Sequence, residues 1–264
     1  MNRKILFALL LVGFHVASIS AAPIQGNALA PASIDDAKKS TIQQMINKVI
    51  PELIVETVSP SPLSGIYQII ANNEIFYVSE DGRYLLHGDL LDLTKDKATL
   101  NQTEEIRKKI RLKSLNNVPK SEMIIFSPTN GIKSFVTIFT DADCVFCQRF
   151  HKEISKITEL GIEVRYLSFP RQGIGSDSYK KTVSIWCADD PKSMLTLAKN
   201  GGTVPSKSCE APVAKHYELG RKLNIQGTPT IIFADGTMLA RYMLPDELAK
   251  FALEHQPDNI KVTE

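Results

Sequence analysis

The sequence has little net charge, few aromatic residues and no internal repeat or low-complexity tract. Its 31 basic and 29 acidic residues leave a formal net charge of +2 over 264 residues. No overall field therefore favours nucleic acid or an anionic membrane, and we expect no nucleic-acid partner. Beyond the N-terminus no apolar run approaches the ~20 residues that a membrane-spanning helix needs. What remains is a globular chain, long enough for one large or two modest domains.

Cysteine is scarce as well, and its four positions divide into two pairs, all in the second half of the chain. Cys144 and Cys147 form a Cys-x-x-Cys motif, whereas Cys187 and Cys209 flank a segment rich in Gly, Ser, Lys and Pro. A bridge between the latter two would close a loop of about two dozen residues, worth ~3 kcal/mol in the chain-entropy model. We interpret Cys187 and Cys209 as a structural disulfide and the motif as the chemical pair.

The first residues have the layout of a secretory signal. Arg3 and Lys4 precede an apolar run over residues 5–16, and small residues follow it. The run is too short for the alternative interpretation, a membrane anchor. We therefore predict a cleavable signal peptide over residues 1–22 and export to a compartment where disulfides persist.

Residues 23–98 are predicted to form a small α+β domain. A helix is expected over residues 33–50, with Ser33 as a candidate cap and Pro51 after its end. Its apolar face consists of Ile42, Met45, Ile46 and Val49. Asn72-Asn73 and Asp81-Gly82 are hairpin turn signals, and the predicted strands cover residues 54–58, 66–71, 75–78 and 84–87. So small a unit has little core for an independent monomer, and we predict that it is a dimerisation domain.

A charged helix is predicted next, at residues 103–115. Thr103 is a candidate N-cap, and Ile106, Ile110 and Leu112 form a thin apolar seam. We assign residues 99–118 to this helix as a linker between two domains. A surface helix packed on one domain is an equally good interpretation of the same pattern.

Residues 119–264 alternate between strand and helix patterns. The predicted strands cover residues 135–140, 162–169, 230–234 and 237–242, and the predicted helical segments cover residues 145–160, 179–200, 213–223 and 245–255. The Cys-x-x-Cys motif lies directly after the first strand and begins the first helix. A strand, a helix led by this motif, a second strand, inserted helices, a hairpin and a last helix indicate a thioredoxin-like α/β domain.

The position of Cys144 at a helix start favours redox chemistry. Unpaired N–H groups and the positive end of the helix dipole stabilise a thiolate there, and the thiolate is the form that attacks disulfides. Cys144 is the predicted nucleophile and is expected to be exposed. Cys147, one turn further and partly shielded, is the predicted resolving thiol. Asp141 and Asp143 could cap the helix, and we predict no catalytic role for them.

Metal or haem binding is the competing interpretation of this motif. Cys144, Cys147 and His151 could begin a zinc site, but no second Cys-x-x-Cys supplies the remaining ligand. A c-type haem site requires a histidine where Gln148 stands. We therefore expect no metal and no cofactor, and we expect His151 to be a partly solvated helix residue.

Several separate motifs of this sequence occur together in one known family. They are Phe139-Thr140-Asp141 before the cysteine pair, Leu167-Ser168-Phe169-Pro170, Trp186-Cys187, Cys209, Gly227-Thr228-Pro229 and the upstream Asp81-Gly82-Arg83-Tyr84. The sequence resembles the DsbC family of exported bacterial disulfide isomerases, with the DsbG-type proteins close by. The resemblance covers nearly the whole chain after the signal.

That resemblance implies a periplasmic, V-shaped homodimer, held by its N-terminal domains, whose cleft binds unfolded or wrongly bridged secreted proteins. It implies a membrane reductase of the DsbD type that keeps the active pair reduced. It also implies that Thr228 and Pro229 form a substrate-binding loop with a cis peptide bond, although only ~5–6% of X-Pro bonds are cis. One departure is visible, because Val145-Phe146 replaces the Gly-Tyr that family members commonly carry.

We therefore expect an exported protein disulfide isomerase. The Val145-Phe146 dipeptide leaves a second activity open, that of an envelope dithiol oxidase or a reductase of single-cysteine substrates. A third hypothesis, from another class, is a holdase chaperone whose cysteines are secondary.

Overall fold

The computed structural model describes residues 34–95 and 100–257. The predicted signal peptide and the candidate cap Ser33 lie outside these ranges. None of the helices within them is both long and apolar enough to cross a membrane.

The N-terminal domain packs one helix on a four-stranded antiparallel sheet. Helix α1 spans Asp36–Val49, and the strands β1 to β4, which lie in this order in the sheet, are Val55–Pro60, Ile66–Ala71, Glu74–Ser79 and Leu85–His87. The helix begins where the Asp35 side chain accepts a hydrogen bond from the Lys38 N–H at 2.6 Å. Ile42 and Ile46 are buried against the sheet. Val49, predicted on the same face, is 78% exposed because it is the last residue of the helix.

A two-residue turn joins β2 to β3. Ala71 pairs with Glu74, and the two residues between them, Asn72 and Asn73, have φ values of 51° and 62°. Positive φ at both positions is the type I′ turn that matches the twist of a hairpin, and asparagine tolerates it better than most residues. The turn predicted at this position is therefore present.

The charged segment forms helix α2, Gln102–Asn116. Its N-cap is Asn101, whose side chain accepts from the Glu104 N–H at 2.9 Å, so the prediction that Thr103 caps it is wrong. Thr103 is instead buried, with its hydroxyl 2.6 Å from the Tyr77 hydroxyl. The predicted seam residues are only partly buried, while Arg111 and Leu115 are buried. The helix thus packs closely rather than standing free in solvent.

The second domain is built on a mixed five-stranded sheet. Its strands, β5 to β9, are Ile124–Phe126, Ser134–Thr140, Ile162–Ser168, Thr230–Phe233 and Met238–Leu239. Their order in the sheet is β5-β7-β6-β8-β9, with β6 parallel to β7 and antiparallel to β8. Nearly every residue of the central strands β6 and β7 is buried, which requires layers on both faces of the sheet.

Six helices of the described residues cover this sheet. Helices α3 to α8 are Val145–Lys152, Ile154–Glu159, Asp177–Trp186, Pro191–Lys199, Val213–Lys222 and Pro245–Glu254. The helix predicted over residues 145–160 is divided at Glu153, which ends α3 and begins α4. The segment predicted over 179–200 is likewise two helices, because Asp190 caps a new helix whose first residue is Pro191. The site lies where β6 ends and α3 begins.

Candidate active site

Cys144 occupies the N-cap position of α3. Its sulfur accepts a hydrogen bond from the Cys147 N–H at 3.4 Å, and its own N–H donates to the Asp141 carbonyl at 3.2 Å. The side chain therefore satisfies one of the unpaired N–H groups at the start of the helix, where the dipole favours a negative charge. The two cysteines are not bonded to each other.

Both cysteines of the motif are buried, so the expectation that Cys144 is exposed is wrong. Cys144 and Cys147 are each 2% exposed. The segment carrying Thr228 lies against the first of them, with the Cys144 sulfur 3.2 Å from the Thr228 carbonyl oxygen. The residues between the cysteines are the exposed ones, Val145 at 67% and Phe146 at 56%. The surface at the site is therefore apolar, with the sulfur beneath it.

The two thiols have opposite acidities. The Cys147 thiol and the Cys147 N–H donate to the Cys144 sulfur and, with the neighbouring Thr228 and Arg171 side chains, lower its pKa to about 5 despite burial. Burial raises the pKa of the Cys147 thiol far above its ordinary value. At neutral pH the pair thus carries a thiolate on Cys144 and a protonated thiol on Cys147.

The contact with Thr228 depends on the protonation state of Cys144. A neutral thiol can donate to the Thr228 carbonyl, which favours the protonated form. The Thr228 hydroxyl is buried and has no hydrogen-bond partner in the described structure, so it is free to donate to a thiolate at Cys144. A hydrogen bond from the Thr228 hydroxyl to the thiolate lowers the pKa of Cys144, and this is the contact that applies at neutral pH. The peptide bond between Thr228 and Pro229 is cis.

Asp141 holds the loop before the cysteines and does not cap α3. Its carboxylate is buried and accepts from the Asp143 N–H at 2.8 Å, the Arg171 N–H at 2.9 Å and the Ser178 hydroxyl at 2.7 Å. Burial opposes its charge, but these hydrogen bonds hold the pKa of Asp141 below its ordinary value. Asp143 pairs with Lys181 on α5. The sequence did not indicate this positioning role for Asp141.

His151 is buried, so the prediction that it is partly solvated is wrong. It is 2% exposed, with Nδ1 3.1 Å from the Tyr166 hydroxyl and Nε2 2.9 Å from the Thr196 hydroxyl. Burial, assisted by the charge of Lys199, lowers the pKa of His151 to about 4. Both ring nitrogens are therefore engaged within the core. In the part of the chain that the structure describes, no group of three or more His, Cys, Asp or Glu side chains could hold a metal ion.

Lys199 is a site residue that could not be predicted from the sequence. A lysine in the last turn of a helix ordinarily faces solvent, yet Lys199 is 1% exposed. Its ammonium group donates to the Thr140 hydroxyl at 2.8 Å and to the Asp141 carbonyl at 2.6 Å. It therefore lies beneath the loop that leads into Cys144.

Cys187 and Cys209 form a disulfide, with an S–S distance of 2.04 Å and a Cα–Cα distance of 5.7 Å. Cys187 is the residue that follows α5, so the bond ties the end of this helix to the loop before α7. The neighbouring Trp186 donates its indole N–H to the Glu122 carbonyl at 2.9 Å. The Cys187–Cys209 pair therefore has a structural role, because it crosslinks the end of α5 to the loop before α7.

Both domains match known families. Residues 32–104 match the disulfide bond isomerase protein N-terminal domain family, and residues 121–256 match the thioredoxin-like domain family. The chain is 35% identical over 225 residues to the thiol:disulfide interchange protein DsbC of Escherichia coli K12, covering 85% of this chain and 90% of that protein. It is 37% identical over 227 residues to the DsbC of Haemophilus influenzae, covering 86% of this chain and 93% of the relative.

Among solved structures, the chain is similar to a disulfide interchange protein from Neisseria gonorrhoeae. The two share 28% sequence identity with a TM-score of 0.48, and the match covers 53% of this chain and 100% of the other.

Proposed function

The chain belongs to the DsbC family of thiol:disulfide interchange proteins, and from that membership we propose that it is an exported disulfide isomerase acting through Cys144 and Cys147. The family and the thioredoxin-like fold predicted from the sequence are confirmed. The observation that carries the proposed mechanism is the place of Cys144 at the N-cap of α3, where its sulfur accepts the Cys147 N–H at 3.4 Å. Hydrogen bonds at this position lower the pKa of Cys144 to about 5, which favours a thiolate at neutral pH.

In the proposed cycle, the Cys144 thiolate attacks one sulfur of a non-native disulfide. A bond forms between Cys144 and that sulfur, and the other substrate sulfur leaves as a thiolate. This freed thiolate can attack a different bridge of the substrate and finally displace Cys144, so the bonds are rearranged without net oxidation or reduction.

Cys147 provides a second way to resolve the mixed disulfide. When it loses its proton it attacks the Cys144 sulfur, the substrate leaves as a reduced thiol, and Cys144 and Cys147 are left joined. The active pair must then be reduced again, and we propose a membrane reductase of the DsbD type as the source of electrons. Unfolded or wrongly bridged secreted proteins are the proposed clients.

We propose that the client chain binds beside the cis Thr228-Pro229 loop. A substituent at Gly227 would meet no atom within 4 Å, so there is open space next to the loop. Val145 and Phe146 add an exposed apolar surface on the other side of Cys144. Entry of an extended client segment would replace the contact between Thr228 and Cys144, which explains how a buried sulfur is reached.

Refolding of scrambled ribonuclease tests this function. We expect Cys144→Ala to abolish isomerase activity, because the other free thiol, Cys147, is buried and burial raises its pKa far above the ordinary value. Cys147→Ala is the matched control, since it keeps the nucleophile but removes the resolving thiol. This variant should accumulate mixed disulfides with the substrate, which are visible on non-reducing gels. Activity that survives Cys144→Ala would refute the mechanism, and suppression of aggregation that survives both changes would favour the holdase hypothesis.

One observation favours a second activity, that of a dithiol oxidase. A low pKa at the nucleophile stabilises the reduced state and makes the disulfide form more oxidising, and ~3.5 is the corresponding value in DsbA, a strong oxidant. The Cys144 value of about 5 lies towards this end of the range. A redox titration separates the two activities, because a potential near ~−120 mV would favour the oxidase.

We further propose a homodimer formed by the N-terminal domain, residues 23–98, with residues 99–118 as the linker and 119–264 as the catalytic domain. Strand β4 supports this proposal, since it lies at the sheet edge and exposes Leu85 and Leu86, next to the exposed Tyr84 that precedes it. Periplasmic location after removal of residues 1–22 is also proposed. An envelope form whose first residue, by N-terminal sequencing, is Met1 would contradict the cleavage.

A further inference from the structure

Lys199 is a buried cation without an acidic partner. Among the described residues, its ammonium group bonds to two neutral oxygens, those of the Thr140 hydroxyl and the Asp141 carbonyl. It forms no ion pair with any described Asp or Glu, and the Asp141 carboxylate pairs with Arg171 instead. An ammonium removed from water is costly unless a negative charge lies nearby.

The cysteine pair is the source of negative charge that this lysine lacks. Burial lowers the pKa of Lys199, while Cys147, Asp141, Cys144 and Asp143 are close enough to oppose that effect. The two carboxylates already have cationic partners in Arg171 and Lys181.

The other titratable groups nearby supply no charge. His151 is neutral, since burial, assisted by the charge of Lys199, lowers its pKa to about 4. Tyr166 is fully buried with a raised pKa. Arg171 also acts on both cysteines, but its side chain is 48% exposed and pairs with Asp141. Lys199 is therefore the buried cation, among the described residues, whose charge a thiolate of the pair can compensate.

We propose that Lys199 is a positioning residue whose ammonium group serves as the counter-ion of the thiolate at Cys144 and Cys147. The proposal rests on the proposed function, in which these two thiols react. The Asp141 carbonyl links the groups directly, because it accepts both the Cys144 N–H at 3.2 Å and the Lys199 ammonium at 2.6 Å. The cation is thereby fixed relative to the loop that holds the nucleophile.

The positive charge of Lys199 is compensated by a thiolate only in the reduced protein. Once Cys144 and Cys147 are joined, no thiolate remains and Lys199 loses its partner, so the lysine favours the reduced state. It also favours resolution of the mixed disulfide, when Cys147 releases its proton to solvent and attacks the Cys144 sulfur. The bond from Cys144 to the substrate breaks, and the substrate thiolate then takes a proton from water.

Lys199→Met tests the proposal, because methionine has similar length and no charge. We expect the equilibrium with glutathione to shift about tenfold towards the disulfide form, which corresponds to about 30 mV. The pH midpoint of Cys144 alkylation should rise by about one unit. The matched control is Lys192→Met, which removes the same charge from an exposed position of the same helix and should change neither quantity. A wild-type potential and midpoint in Lys199→Met would overturn the inference.

A purely structural role is distinguished by unfolding both redox forms. A counter-ion predicts a larger loss of stability in the reduced Lys199→Met protein than in the oxidised one, whereas equal losses would contradict it. Should the variant fail to fold, a carbon-13 NMR titration of Lys199 in the wild-type protein decides the question. A higher Lys199 pKa in the reduced form supports the inference and an equal one overturns it. Isomerase activity that does not need Cys144 would instead overturn the proposed function itself.

Discussion

Single titratable residues tie the stability of this protein to pH in two separable ways. Cys144 has a pKa of about 5 in the folded chain against an ordinary 9.0, an effect that exists only when the pair is reduced. Burial lowers the pKa of His151 and of His216 from 6.5 to about 4, in either redox form. In both cases the unfolded chain binds more protons than the folded one, so stability is lost as the pH falls.

We expect the reduced protein to lose stability relative to the oxidised protein as the pH falls from about 9 to about 5, the interval between the two pKa values of Cys144. The histidines should destabilise both forms together between about pH 6.5 and 4. Urea unfolding of each redox form over this range measures both effects. A difference between the forms that does not change with pH would contradict the assigned acidity of Cys144.

The chemistry of individual residues could be predicted only where it depends on local sequence. Two cysteines separated by two residues, directly after a predicted strand, were enough to propose Cys144 and Cys147 as the reactive pair. The helix start that favours a thiolate is a local feature of the sequence. His151, Lys199 and Arg111 were not predictable as buried polar residues. The Tyr166, Thr140 and Gly236 groups that they contact lie 15, 59 and 125 positions away along the chain, so only the packed structure reveals these contacts.

At the scale of elements, the contact between helix α2 and the β8–β9 turn depends on the absence of a side chain. Gly236 has a φ of +88°, and a Cβ there would lie 2.6 Å from the Lys108 carbonyl oxygen. Arg111 donates to the Gly236 carbonyl at 2.7 Å, which fixes the helix against the turn. Backbone atoms cannot yield as a flexible side chain can, so a methyl group must move the helix.

We therefore expect Gly236→Ala to destabilise the protein by about 1–3 kcal/mol more than Gly131→Ala, the typical penalty for an overpacked contact. Gly131 is the matched control because its φ is +93° and nothing lies within 4 Å of its Cβ position. It therefore carries the backbone strain without the clash. Urea unfolding of the two variants gives the difference, and equal losses would show that α2 does not pack here as described.

Element type was predictable from periodicity, but element ends were less so. The strands of the N-terminal sheet were predicted nearly in place because alternating residues and asparagine or glycine turns mark them locally. Strand β5 was missed, since its three residues are too few to show a pattern. The break at Glu153 carries no glycine or proline, so the division of this segment into two helices could not be predicted from the sequence.

For the whole molecule, the proposed dimer gives the sharpest prediction. Leu85 and Leu86 are exposed on the edge strand β4, so replacing both with lysine would place charge in the proposed interface. We expect association to weaken by about tenfold or more, because an unpaired charge buried between subunits costs several kcal/mol. Analytical sedimentation measures the change. Isomerase activity should fall while simple reductase activity is kept.

The control for this change is Leu197→Lys, which adds charge at a leucine that is 43% exposed on α6 of the catalytic domain. It should leave the assembly unaltered. A wild-type protein that sediments as a monomer, or a Leu85→Lys and Leu86→Lys variant that remains a dimer, would show that the N-terminal sheet edge is not the interface.

The bond between Cys187 and Cys209 gives this chain a maturation requirement of its own. Each newly made molecule has to be oxidised at one pair of cysteines while the other pair is left as free thiols. An oxidant that made no distinction would block the motif, and a reductant that made none would open the crosslink between the inserted helices. If it acts as we propose, the protein therefore depends, before its first turnover, on the same kind of selective sulfur exchange that it performs on its clients.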